Sequence, residues 1–346
     1  MNSNRCDRID SKPIKADRIL VTGGGGFLGQ AIVRCLRKKG LSVRTLNRNR
    51  YPELEKLQVE QIQGDIAELA VVDRACRGMD LVFHTAARPG IWGDYAAYFN
   101  TNVTGTQNVI AACRKHEIRY LVHTSSPSVA YNKNGVQGGD ESMPYPKQYL
   151  THYQKTKAMA EQAVIQASSE FLKTIVLRPR LIWGPGDNHL IPRILARADK
   201  LAQVGNGRNP VDTIYIDNAA EAHVLAAEKL QQNQALSGKV YFVSQDKPIA
   251  LWEMINRILQ AGGKKPVTRS IPAGPAYALG ACIELTYHLL RISREPMMTR
   301  FLALELSQPH WFDISAAKRD LGYRPGVSTE EGLKRLQSWL ACRQFK

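Results

Sequence analysis

Acidic residues are scarce in this 346-residue chain: 31 Asp and Glu face 47 Lys and Arg, a formal net charge of +16. Residues 1–50 hold 12 basic and 3 acidic side chains, so the imbalance is strong near the start. Such a face attracts nucleic acid, anionic lipid or an acidic ligand, or is simply solvated. No interleaving of basic with aromatic residues accompanies it, so no nucleic-acid partner is expected. Paired cysteines are missing too. Cys6, Cys35, Cys76, Cys113, Cys282 and Cys342 are dispersed, without C-x-x-C and without closely spaced histidines. This argues against a zinc site or a disulfide framework, and for reduced thiols in a cytoplasmic protein. The eight histidines form no H-E-x-x-H, so no metal is expected. Long apolar runs are lacking: the nearest approach, Ala273 to Leu290, is interrupted by Glu284 and His288. A spanning helix of about 18 residues is therefore not expected. The opening MNSNRCDRIDSKPIKADR has no apolar segment of a secretory signal.

What remains is an ordinary globular composition, 44% hydrophobic and 23% charged, with length for about two structural units. Apolar runs at Arg18–Thr22, Ser42–Leu46, Asp80–His84, Tyr120–Thr124 and Thr174–Leu177 read as buried strands. Helical spacing lies between them, as at Ala31–Lys39 and Val103–Lys115. This alternation predicts an α/β fold, a doubly wound parallel sheet with helices on both faces. The regular pattern stops at the loop Gly184–Asp187, Val240–Val243 returns to the sheet, and the remainder is mainly helical. The expected organisation is an N-terminal extension over 1–15, a nucleotide-binding domain over 16–183 joined by 212–245, and a smaller C-terminal substrate lobe from 184–211 and 246–346.

TGGGGFLG, residues 22–29, follows the first strand and opens a helix. Gly23, Gly26 and Gly29 meet three needs of a dinucleotide site: a tight turn, close backbone approach to a pyrophosphate, and close helix–strand packing. The helix N-terminus adds N–H donors and a positive dipole end. At the end of the second strand, Asn47 stands where a carboxylate would hold the ribose hydroxyls of NAD. Arg48 and Arg50 follow and suit a 2′-phosphate, or face solvent; the first option predicts NADP(H) over NAD(H). Asp65, in Gly64-Asp65-Ile66, is placed to accept from the adenine amino group, unless it only caps a surface turn.

Tyr153 and Lys157 are four residues apart, one above the other on a helix. A phenol has a pKa of about 10 and needs a nearby cation to serve as an acid–base near neutrality. Lys157 is the candidate for that field, Tyr153 for proton transfer to a carbonyl oxygen as hydride reaches the carbon. Ser126, just after the Tyr120–Thr124 strand, is placed to orient the same oxygen.

These residues, with Asn102-Val-Thr-Gly-Thr106 and Arg178-Pro179, resemble the extended short-chain dehydrogenase/reductases over nearly the whole chain. The resemblance implies a seven-stranded Rossmann sheet, Tyr153 as acid–base, Lys157 on the nicotinamide ribose, Ser126 positioning the substrate oxygen, Asn102 beside the active site, and a homodimer. It sets the cofactor against Gly23, Gly26, Phe27, Leu28, Gly29, Asn47, Arg48, Asp65, Ile66, Ala86, Ala87, Tyr153, Lys157 and Pro179. Within that family the chain is most similar to the 3β-hydroxysteroid dehydrogenase-like branch. Residues 86–93 (AARPGIWG), 177–189, 215–219 and 309–312 carry a narrower likeness, to reductases of bacterial long-chain olefin synthesis. That likeness implies NADPH-dependent reduction of a lipophilic 2-alkyl-3-oxoalkanoic acid to the 3-hydroxy acid. Arg88, Arg180, Arg193 and Arg208 are candidate partners for its carboxylate, or structural. Trp92 and Trp183 are placed to line a chain-binding cleft, or belong to the core.

Three other readings stay open. A 3β-hydroxysteroid dehydrogenase would use the same three residues. A nucleotide-sugar epimerase shares the fold, whereas sugar dehydratases usually carry Asp-Glu where Pro127 and Ser128 follow Ser126 here. A non-catalytic NADP(H) sensor is the third, although Tyr153 and Lys157 are both present. Residues 272–292 are expected to be a core helix or the roof of an acyl groove, with peripheral association with a membrane or a pathway enzyme as the other option.

Overall fold

The computed structural model describes residues 14–131 and 133–344. Most of the expected N-terminal extension, with Cys6, lies outside them. The central sheet is built from β1 (Arg18–Thr22), β2 (Ser42–Asn47), β3 (Glu60–Gln63), β4 (Leu81–His84), β5 (Tyr120–Thr124), β6 (Lys173–Pro179) and β7 (Lys239–Val243). Their order is β7-β6-β5-β4-β1-β2-β3, all parallel. The order reverses between β1 and β4, the switch point at which a doubly wound sheet binds ligands beyond its carboxyl ends.

Both faces of this sheet are covered. Ile19 and Val21 of β1 pack into one apolar cluster with Leu81 and Phe83 of β4. Leu20 and Val82, the alternate residues, pack into the other with Leu121 of β5. Alternation of side chains along a strand sends neighbours to opposite faces. A strand buried on both faces therefore reads as an unbroken apolar run, which is why these strands are visible in the sequence.

The helices that matter here are α1 (Phe27–Lys38), α2 (Gly105–Lys115), α3 (His152–Ala167), α4 (Ile216–Gln232), α5 (Ala273–Leu289) and α6 (Arg300–Ser307). α3 starts with a reciprocal capping box between Thr151 and Gln154, which fixes the first turn of the helix carrying Tyr153. Outside the central sheet, Val136–Gly139, Pro210–Val211, Ile249–Ala250 and His310–Phe312 form a small mixed sheet.

One expectation is corrected: α5 is not a core helix. Only Ala276 and Gly280 are buried along it, while Leu279, Leu285 and Leu289 are 51–74% exposed. The cause is its crossing with α6. A β-carbon on Gly280 would lie 2.6 Å from the carbonyl carbon of Thr299. Glu284, one turn on, binds Arg300 at 2.6 Å through Nε and at 2.7 Å through the backbone N–H. The small and polar stripe faces the protein and the leucines face out. Among the described residues no helix is long and apolar enough to cross a membrane.

Candidate active site

Beyond β1 the chain turns through four glycines into α1. Gly23 has φ +69°, and a β-carbon there would stand 2.9 Å from the Ala86 backbone. One on Gly29 would stand 2.2 Å from the Gly23 carbonyl oxygen. Side chains at either place would push β4 or α1 away, so the bare backbone is what lets this corner close. α1 has no side-chain cap and no acidic residue in its first turn, so the donors at Phe27 and Leu28 open a helix end suited to an anion. The cradle thus fits a dinucleotide pyrophosphate.

Asn47 braces the loop. Its Oδ1 accepts from the Gly25 N–H at 2.7 Å and its Nδ2 donates to Thr45 Oγ1 at 3.0 Å. The residue at the expected ribose-carboxylate position is therefore uncharged and engaged by the loop. Arg48 and Arg50 stand exposed beyond it. Asp65 Oδ1 accepts from its own neighbour, the Ala67 N–H, at 2.9 Å. Asn108 of α2 holds the carbonyls of Ile66 and Ala67 at 3.0 and 2.9 Å.

A buried chain of hydrogen bonds runs from β1 to α3. Thr22 Oγ1 meets His84 Nδ1 at 2.8 Å, and His84 Nε2 meets Thr106 Oγ1 at 2.8 Å. Thr106 donates to the Asn102 carbonyl at 2.6 Å, and Asn102 Nδ2 donates to Thr156 Oγ1 at 3.0 Å. Thr156 in turn donates to the His152 carbonyl at 2.8 Å. Burial drives the His84 imidazole down to about 3, with the Lys157 charge acting in the same direction. It stays neutral, one ring nitrogen donating and the other accepting.

Lys157 is buried, and its ammonium donates to the Thr124 carbonyl at 2.6 Å. Burial pushes it down to about 8, against the pull of Glu161 one turn further on. Tyr153 is half-buried, and burial pushes its phenol above the ordinary value while the nearby Ser126 hydroxyl draws it down. Ser126 Oγ also meets Ser128 Oγ at 2.9 Å. Ser126 follows β5 at its carboxyl end and Tyr153 stands at the start of α3, with Lys157 one turn further along the helix. Glu161 is held bidentately by Arg178 of β6 at 2.5 and 3.0 Å, and Tyr145 donates to it at 2.6 Å. This buried pair ties the helix bearing Tyr153 and Lys157 to the sheet.

Pro179 closes β6, and Ala86 and Ala87 follow β4, all at the same end of the sheet. Other candidates are placed elsewhere. Trp183 is fully buried against Tyr215 at 5.3 Å between ring centroids, so it belongs to the core and not to a cleft. Trp92 donates to the Ile292 carbonyl at 3.1 Å and packs on His288, which fastens α5 to the loop after β4. Arg180 is buried and paired with Glu305 at 2.8 Å; Arg193 pairs bidentately with Glu295 at 3.0 and 2.9 Å. Both guanidiniums are neutralised within the chain. Arg208 is exposed.

Sequence reasoning passed over Tyr98, His84, Thr124, Thr156 and Glu305. His84 ended a recognised strand, which was the available signal. Tyr98 and Glu305 carried none.

A parallel Rossmann sheet, a glycine cradle at its switch point and a Ser–Tyr–Lys set beside it define a nicotinamide-dependent oxidoreductase of the short-chain dehydrogenase/reductase class. Residues 20–272 match the 3-beta hydroxysteroid dehydrogenase/isomerase family, and the chain belongs to it. It is 50% identical over 325 residues to a 2-alkyl-3-oxoalkanoate reductase of Stenotrophomonas maltophilia, covering 93% of this chain and 98% of that one. It is 32% identical over 341 residues to a decarboxylating sterol-4-alpha-carboxylate 3-dehydrogenase of Mus musculus, covering 96% and 93%. Among solved structures it is similar to the UDP-glucuronic acid 4-epimerase of Bacillus cereus in complex with NAD. There the TM-score is 0.72 at 22% identity, covering 95% of this chain and all (100%) of that one, a likeness of fold.

Proposed function

We propose that the protein reduces long-chain 2-alkyl-3-oxoalkanoic acids to the 2-alkyl-3-hydroxy acids with NADPH, as a step in hydrocarbon formation. The observation that carries this reading is Lys157, buried one turn beyond Tyr153 on α3 with its ammonium on the Thr124 carbonyl at 2.6 Å, in a chain half identical to a reductase of that name. The two named relatives share one chemical element. A 2-alkyl-3-oxoalkanoate and a sterol-4-alpha-carboxylate acted on at position 3 both carry a carboxylate on the carbon next to the reacting one.

The cofactor, when bound, supplies hydride to C3. Gly23, Gly26 and Gly29 admit its pyrophosphate to the N–H groups of α1. Phe27, Leu28, Ile66, Ala86, Ala87 and Pro179 border it, and Asp65 and Arg48 meet its adenosine half. Ser126 holds the substrate carbonyl oxygen, and Tyr153, kept protonated by its burial, gives that oxygen its proton. Lys157, pinned on Thr124, binds the nicotinamide ribose and keeps a positive charge beneath the phenol, which stabilises the phenolate left behind. Asn102 fixes α3 through Thr156. The exposed leucines of α5 support peripheral docking of the enzyme.

NADPH is preferred because Asn47 takes the place of a ribose-binding carboxylate, neutral and bonded to the Gly25 N–H, and Arg48 is available for a 2′-phosphate. The expected result is oxidation of a 2-alkyl-3-hydroxy acid with NADP⁺ in preference to NAD⁺, and in preference to a 3β-hydroxysteroid. In Arg48→Ala the NADP⁺/NAD⁺ ratio of kcat/KM is expected to drop by about tenfold or more, the equivalent of ~1.4 kcal/mol. An unchanged ratio contradicts the role of Arg48; turnover of the steroid alone overturns the substrate.

A further inference from the structure

Four arginines are candidates for an anionic substrate, and the structure separates them. Arg180 and Arg193 are consumed by Glu305 and Glu295. Arg208 is exposed in the segment before Pro210–Val211, and its backbone N–H is tied to Asn206. Arg88 is exposed as well, and what sets it apart is its place and its lack of an acidic partner. It follows β4 directly, at the carboxyl end of the sheet, and among the described residues no carboxylate forms an ion pair with it.

Its backbone is fixed. Asn102 Oδ1 accepts from the Arg88 N–H at 2.7 Å, and Asn102 Nδ2 donates to the Arg88 carbonyl at 3.3 Å. The same Nδ2 donates to Thr156, which lies between Tyr153 and Lys157 on α3. One buried amide thus sets the position of Arg88 relative to the Ser–Tyr–Lys group. The side chain is shelved as well. The guanidinium carbon lies 5.4 Å from the centroid of the Tyr98 ring. Tyr98 donates onward to the Trp92 carbonyl at 3.1 Å. Tyr98 is also close enough to act electrostatically on Tyr153. Gly90 keeps this corner open, since a β-carbon there would lie 2.8 Å from the Tyr98 hydroxyl.

From this geometry we propose that Arg88 is the carboxylate anchor of the active site, the residue that selects a 3-oxo or 3-hydroxy acid over an uncharged ketone or alcohol. The proposal rests on the reductase reading above and deepens it. The carboxyl carbon of such an acid is two bonds from C3, so the anion must sit beside the oxygen that Tyr153 serves. Negative charge grows on that oxygen as hydride arrives, and an unpaired carboxylate next to it would oppose the reaction. A guanidinium stacked on an aromatic ring keeps its planar donor edge, which suits a carboxylate bidentately. The guanidinium carries five N–H donors, and no carboxylate of the described residues occupies them.

The test compares a 2-alkyl-3-hydroxy acid with its methyl ester, in the full-length protein loaded with NADP⁺. Wild type is expected to favour the acid. In Arg88→Gln, kcat/KM for the acid falls by about 100-fold, the equivalent of ~2.7 kcal/mol, and the acid-over-ester preference collapses. Arg88→Lys keeps the charge without the fork and retains part of the preference. Calorimetric titration of acid and ester reads the site without turnover: wild type binds the acid more tightly, and Arg88→Gln loses that difference. If Arg88→Gln lowers acid and ester alike, or changes neither, the anchor is overturned while the reductase reading stands. If wild type binds the acid selectively but turns over neither compound, the reductase reading fails and the anchor stands. If wild type binds both equally, the anchor fails.

Discussion

Tyr153→Phe is expected to lower turnover by a factor of roughly 100 to 10,000, the usual contribution of a positioned proton donor. NADPH affinity is expected to change little, because the proposed role of the phenol oxygen is on the substrate oxygen, while the nucleotide is assigned to the glycine cradle. The substitution removes one oxygen from a half-buried ring. The fold tolerates this loss, since Ser126 keeps its contact with Ser128 at 2.9 Å. Steady-state kinetics with a fluorescence titration of NADPH separates the two effects. Normal turnover would remove Tyr153 from the chemistry.

The second large effect concerns pH and stability. His84 and His223 are driven down to about 3 and about 4 by burial, His310 to about 4, and His123 well below its ordinary value. In the unfolded chain each imidazole takes up a proton near pH 6.5. The folded protein does so only at much lower pH. Between these limits the unfolded chain binds more protons, so stability is present above about pH 6.5 and is lost as pH falls. Each histidine costs about 1.4 kcal/mol per pH unit below that point. Asp212 works in the opposite sense, because burial raises its carboxyl to about 6 and protonation then favours the folded form. The net loss from pH 7 to pH 5 is about 5 kcal/mol, a large share of the roughly 5–15 kcal/mol that holds a typical domain. A fall in Tm on the order of 10 °C is expected between pH 7 and pH 5, starting below about pH 6.5. A Tm that stays level to pH 5 would show that these imidazoles are solvated.

The buried position of these histidines also marks the limit of sequence reading. β1, β2, β4 and β5 were legible because strands covered on both faces are unbroken apolar runs between turn residues. The glycine loop was legible because its spacing is tied to a strand before and a helix after. Tyr153 and Lys157 were legible because four residues on a helix make one face. Asn47 was correctly noticed for its missing charge, yet its bond to Gly25 depends on how the loop folds back over β2. Arg180 gave no sign that Glu305 neutralises it, since the two are 125 residues apart in sequence. α5 misled for a different reason. It is apolar nearly all round, so no periodicity says which face is covered. The decision is made by Ala276 and Gly280, whose small size allows the close crossing with α6 and turns the leucines outward. Trp183 and Trp92 were equivalent by size; packing put one in the core and the other against α5.

The central claim is that hydride reaches C3 of a 2-alkyl-3-oxo acid at the site formed by Ser126, Tyr153 and Lys157. It is tested most directly by incubating the full-length enzyme with deuterium-labelled NADPH and a long-chain 2-alkyl-3-oxoalkanoic acid, then analysing the product by mass spectrometry. The account expects a 2-alkyl-3-hydroxy acid with one deuterium on C3, formed by wild type and nearly absent with Tyr153→Phe. An unlabelled product, or label transferred only to a steroid or sugar ketone offered alongside, would contradict it.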